Sequence, residues 1–115
     1  QGDMPPGIRI EEIISCSKVI DKHYSKPKSK FSLAQDATPN IWMNVISENP
    51  PFTLTHVYYL KDRKYCEVPL AIRYPQMRTW SSVTLRSPEH IGKWRVEVIA
   101  DNGAKLDEIE FTIEK

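Results

Sequence analysis

Hydrophobic and polar positions alternate most regularly near the end of the chain. In GKWRVEVIA (92–100), Trp94, Val96, Val98 and Ala100 fall on one side, and Lys93, Arg95 and Glu97 on the other. A period of two marks a strand with one buried face. DNG (101–103) follows, and Asn-Gly between alternating runs predicts a hairpin with a type I′ turn. The return strand LDEIEFTIE (106–114) points Ile109, Phe111 and Ile113 inward and Glu108, Glu110 and Glu114 outward. Leu106 has the wrong parity for that face, which predicts a bulge near Asp107.

The same reading yields strands upstream. KYCEVPLAIRY (64–74) sets Cys66, Val68, Leu70, Ile72 and Tyr74 against Tyr65, Glu67, Pro69, Ala71 and Arg73. Pro69 donates no ladder bond, so this strand belongs at a sheet edge. KDRK (61–64) is a polar turn joining it to FTLTHVYYL (52–60). IWMNVI (41–46) is closed by the loop signal SENPP, and MRTWSSVTL (77–85) lies between YPQ and SPEHIG. IRIEEIISCSKVI (8–20) reads as one strand with a parity shift. Together these give about seven strands, the pattern of an all-β, immunoglobulin-like antiparallel β-sandwich. The immunoglobulin Cys-Trp-Cys spacing is absent, so only the architecture is implied. Residues 1–115 form a single domain, a common size for one core.

Composition narrows the function classes. The chain is 40% hydrophobic and 27% charged, with 16 Lys and Arg against 15 Asp and Glu, a net charge of +1. Such a balance gives no global field toward nucleic acid or acidic membranes. No stretch reaches the ~20 apolar residues of a membrane helix. The chain begins at Gln1 with Met4 inside it, which fits a mature form after signal-peptide removal and fits a trimmed piece as well. Cys16 and Cys66 allow one disulfide in an oxidising compartment or two buried thiols in a reducing one. Two cysteines and three scattered histidines make no metal site, and no cofactor motif is present.

The least patterned segment is DKHYSKPKSKFSLAQDATPN (21–40), where Lys22, Lys26, Lys28 and Lys30 interleave with His23, Tyr24 and Phe31. It reads as a long connection that is part strand, with its lysines either solvated or contacting a partner.

The motifs GKWRVEVIADNGAKLDEIEFTI (92–113), MRTWSSVTL and THVYY together resemble a bacterial family of unknown function, DUF2914. The matching residues are Gly92, Trp94, Val96, Val98, Gly103 and Phe111, then Arg78, Trp80 and Ser81, and His56 with Tyr58. Tyr58 stands where the family carries Trp. The resemblance covers roughly the C-terminal two-thirds of the chain. It implies part of an exported or membrane-anchored protein, hence a periplasmic or extracellular setting, and it supplies no reaction.

Candidate contact residues follow from parity. If Val83 and Leu85 face the core, then Arg78, Trp80, Ser82 and Thr84 face outward. Trp beside Arg and Ser suits a glycan or protein, the ring stacking and its neighbours giving directed hydrogen bonds. A bulge would instead turn Trp80 into the core beside Trp94. His56 shares a face with Leu54 and Tyr58, and can hydrogen-bond Glu67 or a serine of the Arg78 strand. Ser81, Ser82, His56 and Asp62 are triad residue types, but no nucleophile elbow surrounds the serines. The expectation is a non-enzymatic module with no catalytic residues and no cofactor. Its contacts come from Trp80, Arg78, Ser82, His56, Tyr58, Lys22, Lys26, Lys28 and Lys30. Its partner is another protein or a membrane-complex subunit, or alternatively a glycan.

Overall fold

A computed structural model describes residues 7–35 and 38–115. Residues 1–6, with Gln1 and Met4 on which the reading of the chain's start rests, lie outside the described residues. So do Asp36 and Ala37 of the basic segment. The described residues form nine strands and one 3-10 turn. The strands are β1 (Ile8–Ile20), β2 (His23–Pro27), β3 (Lys30–Ser32), β4 (Asn40–Ser47), β5 (Phe52–Leu60), β6 (Arg63–Ile72), β7 (Gln76–Ser82), β8 (Gly92–Ile99) and β9 (Lys105–Glu114). One sheet has the order β2-β1-β4-β7 and the other β3-β9-β8-β5-β6, the second closed by a parallel β3–β9 pair.

Seven of these strands are the ones the alternation predicts. The other two, β2 and β3, come from the basic segment, which thus crosses from one sheet to the other. Period-two patterning misses them because strands of five and three residues are too short to show an alternation, even though Phe31 of β3 is buried in the core. Lys22 and Lys26 therefore belong to the first sheet's hairpin, and Lys30 to the second sheet. Lys28 lies between them, its ammonium 5.3 Å over the Phe31 ring. The four lysines do not form one loop.

The parity shift in β1 is a bulge between Ile10 and Glu12, which keeps Ile8, Ile10 and Ile13 turned toward the core. The β8–β9 register shifts between Val98 and Ile99, so the extra residue is Leu106, next to the position expected. The turn before it differs from expectation. Gly103 N donates to Ala100 O at 2.9 Å, Ala100 N to Ala104 O at 2.8 Å, and only Gly103 has positive φ, at 87°. This is a three-residue loop, a type I turn followed by a left-handed glycine, and Asn102 stays out of the left-handed region. The two-residue turns with both central φ positive are Asp21-Lys22 (51° and 64°) and Lys61-Asp62 (53° and 65°).

Between the sheets lie two apolar clusters. In one, Phe31, Ile41, Tyr58, Leu85, Val96 and Ile113 surround Trp94, which stacks on Phe111 at 5.8 Å and 8°. The Trp94 indole N–H donates to His90 O at 2.8 Å, so its one polar group is satisfied in the core. In the other, Met43 and Val45 of β4 meet Leu54, Ile72 and Val98. Burying such side chains stabilises the fold by roughly 1.5–3 kcal/mol each. Outside, Lys93 of β8 reaches Glu110 of β9 at 3.5 Å. Arg95 instead pairs with Asp62 at 2.6 Å and Glu97 at 3.0 Å, over the Tyr59 ring at 4.4 Å. The exposed Lys93–Glu110 pair adds about 0–1 kcal/mol.

Candidate functional site

Strand β7 pairs with β4 alone, in an unshifted register of Met77 with Val45, Thr79 with Met43 and Ser81 with Ile41. Its odd residues point between the sheets: Thr79 and Ser81 are buried, as is Leu85 beyond the strand. Its even residues point outward. Arg78 and Ser82 are exposed, and Trp80 is 37% exposed. No bulge interrupts β7, so Trp80 keeps the outward parity and does not join Trp94 in the core.

On the inner side, Ser81 joins two residues of the opposite sheet. Its Oγ lies 2.6 Å from His56 Nδ1 and 2.5 Å from Tyr58 OH, while His56 Nε2 lies 3.3 Å from Met43 Sδ. A thioether only accepts, so Nε2 carries the imidazole proton. The chain of donors then runs from Tyr58 O–H to Ser81 Oγ, and from Ser81 O–H to His56 Nδ1. Each buried polar group finds a partner, which avoids the cost of an unmade bond. Burial drives the His56 pKa down from 6.5 to about 4, and pushes the Tyr58 phenol well above 10 despite the Ser81 hydrogen bond. Both rings are fully buried. His56 and Tyr58 are therefore corrected from contact residues to an internal polar pin between the sheets. Glu67 is not the His56 partner; a serine of the Arg78 strand is.

A hydroxyl next to an imidazole is the start of a nucleophile–base pair. Here Ser81 is 4% exposed, Nε2 faces sulfur and no carboxylate orients the ring. A substrate has no approach to it. Ser82, the other serine considered, projects from the opposite face of β7 and is separated from His56 by the strand itself.

Along the open edge of β7 and onto its outer side, a groove of about 490 Å³ is lined by Lys22, Tyr74, Gln76, Met77, Arg78, Thr79 and Trp80. No carboxylate is among these residues. Lys22 reaches the groove because Trp42, the Cα partner of Trp80 on β4, donates its indole N–H to Lys22 O at 2.9 Å. His23 stacks on Trp42 at 6.2 Å and Tyr24 meets it edge-on at 5.0 Å, so Trp42 is buried on an outward-facing position. The β1–β2 hairpin is thus pinned against the sheet beside the groove. Tyr74 is 61% exposed, a correction to its assignment with the inward residues of β6: the strand ends at Ile72 and the Arg73–Pro75 turn releases it. Sequence parity missed Tyr74, Gln76 and Met77; the YPQ turn signal was the available hint.

Cys16 and Cys66 are free thiols, which decides between the two alternatives the sequence leaves open and excludes the disulfide. They lie in different sheets, Cys16 with its Sγ 3.3 Å from Lys18 O and Cys66 against the Trp94 cluster. Burial raises both pKa values. Among the described residues, no group of three or more His, Cys, Asp or Glu is placed to hold a metal ion. None of their helices is long and apolar enough to cross a membrane.

The family model for "Protein of unknown function (DUF2914)" matches residues 51–113, and the chain belongs to this family. The match contains β5, β6, β8 and β9 of the second sheet, but only β7 of the first. His56, Tyr58 and Ser81, the three residues of the pin, all fall within it. Among solved structures, the crystal structure of an immunoglobulin-like protein from Pseudomonas aeruginosa is similar, with a TM-score of 0.55 and 13% identity. The alignment covers 93% of this chain and 96% of that one. The fold is thus an immunoglobulin-like β-sandwich. No curated protein matches the chain.

Proposed function

We propose that the chain is a non-enzymatic interaction module that docks onto a larger bacterial membrane or extracellular assembly through the outer face of β7. One observation carries this reading: a groove with two cationic and two aromatic side chains, no carboxylate, and a rigid sheet beneath it. The Ser81–His56 hydroxyl–imidazole contact is sealed in the core, and in the Ser87–His90 contact the imidazole accepts from the Ser87 backbone N–H, so neither is an accessible nucleophile–base pair. Export is the setting the family resemblance implies. Cell fractionation with an antibody against the native protein tests it, and recovery in the cytoplasm alone contradicts it.

The docking role is tested by affinity capture from native membrane and periplasmic fractions. The wild type retains a stoichiometric partner that the Trp80→Ala, Arg78→Glu double variant loses. Equal retention by both proteins, or a bare monomer from both, contradicts the reading.

A second reading is carbohydrate binding. The exposed rings of Trp80 and Tyr74 flank Arg78 and Gln76, an arrangement suited to stacking on a sugar with directed hydrogen bonds. A glycan screen read by tryptophan fluorescence, with Trp80→Ala as control, decides it: no quenching by any glycan ends this alternative.

A further inference from the structure

The four sheet edges are β2, β7, β3 and β6, and they are not equivalent. An edge strand presents unpaired backbone groups that invite another strand, and proteins blunt such edges with shortness, proline, charge or irregular backbone. β3 has three residues. β2 has five, with Lys26 at φ 54° and a closing Pro27. β6 carries Pro69, a row of charges at Arg63, Lys64 and Glu67, and a register shift opposite Tyr58 and Tyr59. β7 has seven residues, QMRTWSS, with no proline, a single charge and an unshifted register. Of the four edges it carries the fewest of these protections, a single charge at Arg78.

The register also shows which backbone groups that edge offers. Ser47 N donates to Pro75 O at 2.7 Å, and Val83 N donates to Pro39 O at 3.4 Å. In an antiparallel ladder, bonded and non-bonded pairs alternate. The odd residues 77, 79 and 81 therefore spend their N–H and C=O groups on β4. Gln76, Arg78, Trp80 and Ser82 direct theirs away from β4, to the open edge. The same four residues carry their side chains on the outer face, so the edge donors and acceptors lie beside the groove of Arg78, Trp80 and Lys22.

We propose that β7 receives an extended acidic segment of a partner protein by strand addition along this edge. The proposal rests on the reading of β7 as the docking face and gives that reading its chemistry. Backbone pairing supplies affinity without sequence, and alternate side chains supply the selection. Arg78 takes a carboxylate, Lys22 gives further positive potential, and Trp80 covers an apolar residue. Arg78 and Trp80 are two apart on one face, so the segment reads apolar-x-acidic if it runs antiparallel to β7, and acidic-x-apolar if parallel. Charge argues against a second copy of this chain as occupant: β7 brings no carboxylate to oppose Arg78 or Lys22.

The probe is a fluorescein-labelled ten-residue peptide in which Thr occupies alternate positions. Its other face carries Val, then Glu two positions later. Anisotropy is read with the full chain. Two control peptides replace Glu by Lys, or carry N-methyl groups on the backbone nitrogens of one edge. The expected result is binding that weakens about tenfold or more with either control. The Arg78→Glu variant then prefers the Lys peptide, a reversal that a misfolded protein cannot show. Unchanged affinity after N-methylation overturns strand addition. So does no binding at about 1 mM peptide. In both cases the docking reading stands if partner capture still depends on Trp80 and Arg78, and falls if it does not. A concentration-dependent dimer broken by Arg78→Glu also overturns the proposal, assigning the edge to a second copy.

Discussion

On the inner side of β7, Ser81 is 4% exposed and bonded to both His56 and Tyr58, whereas Trp80, its neighbour in sequence, is 37% exposed on the outer side among cations. The two tryptophans, Trp94 assigned to the core and Trp80 left open between face and core by sequence alone, divide the same way. Trp94 is enclosed, stacked on Phe111 and satisfied at its N–H. Trp80 lines the groove with Lys22 and Arg78 and is 37% exposed. The difference teaches that in a sandwich the role of an aromatic is set by strand parity together with what covers the outer face, since Trp42 shares Trp80's face and is buried under His23 and Tyr24.

The sharpest contrast lies in stability. Trp94→Ala empties a closed site and is expected to cost about 3–5 kcal/mol in urea unfolding. A loss below about 1 kcal/mol would mean that Trp94 is no keystone of the core.

Acid probes the inner face through His56. Its folded pKa is about 4 against 6.5 when unfolded. Between these values the unfolded chain binds a proton that the folded chain excludes, so the contribution is complete above pH 6.5 and is lost as pH falls toward 4. The expected loss at pH 4 is about 3 kcal/mol. His56→Gln removes that slope; an equal slope in wild type and variant would place the acid response elsewhere.

Ser81→Ala removes the middle of the pin and leaves the His56 and Tyr58 groups short of a partner, an expected cost of about 2 kcal/mol. The matching change outside, Ser82→Ala, is expected to stay within about 0.5 kcal/mol. Thermal melts of the two variants would break the comparison if they coincided. Trp80→Ala should also be nearly silent in stability. Its effect appears in acrylamide quenching, because Trp42 and Trp94 are enclosed. A quenchable fraction that survives the substitution would show that another tryptophan reaches solvent.

The sequence made the second sheet legible because its strands each bury one face, and alternation records that burial. The β8 and β9 residues Trp94, Val96, Val98, Phe111 and Ile113 fall where parity puts them. Edge strands β2 and β3 leave no such record, since five and three residues are too few to alternate, and the buried Phe31 stands alone between Lys30 and Ser32. The Asn102-Gly103 turn shows the limit of a dipeptide signal: the bulge at Leu106 adds a residue, and the loop changes type to suit the ladder. At the site, outward parity of Arg78, Trp80 and Ser82 could be read from one strand. The Ser81–His56 contact could not, because it crosses between sheets and no single strand's pattern encodes how two sheets face each other. The inward assignment of Tyr74 failed for a related reason: parity holds only while the strand continues.

Amide hydrogen exchange along β7 tests the account most directly. Alternation is expected, with slow exchange at Met77, Thr79 and Ser81, whose N–H groups bond β4, and fast exchange at Arg78, Trp80 and Ser82, whose N–H groups face the open edge. Uniform protection from Gln76 to Ser82 would show that the edge is already covered, and would contradict both the open docking face and the strand addition built on it.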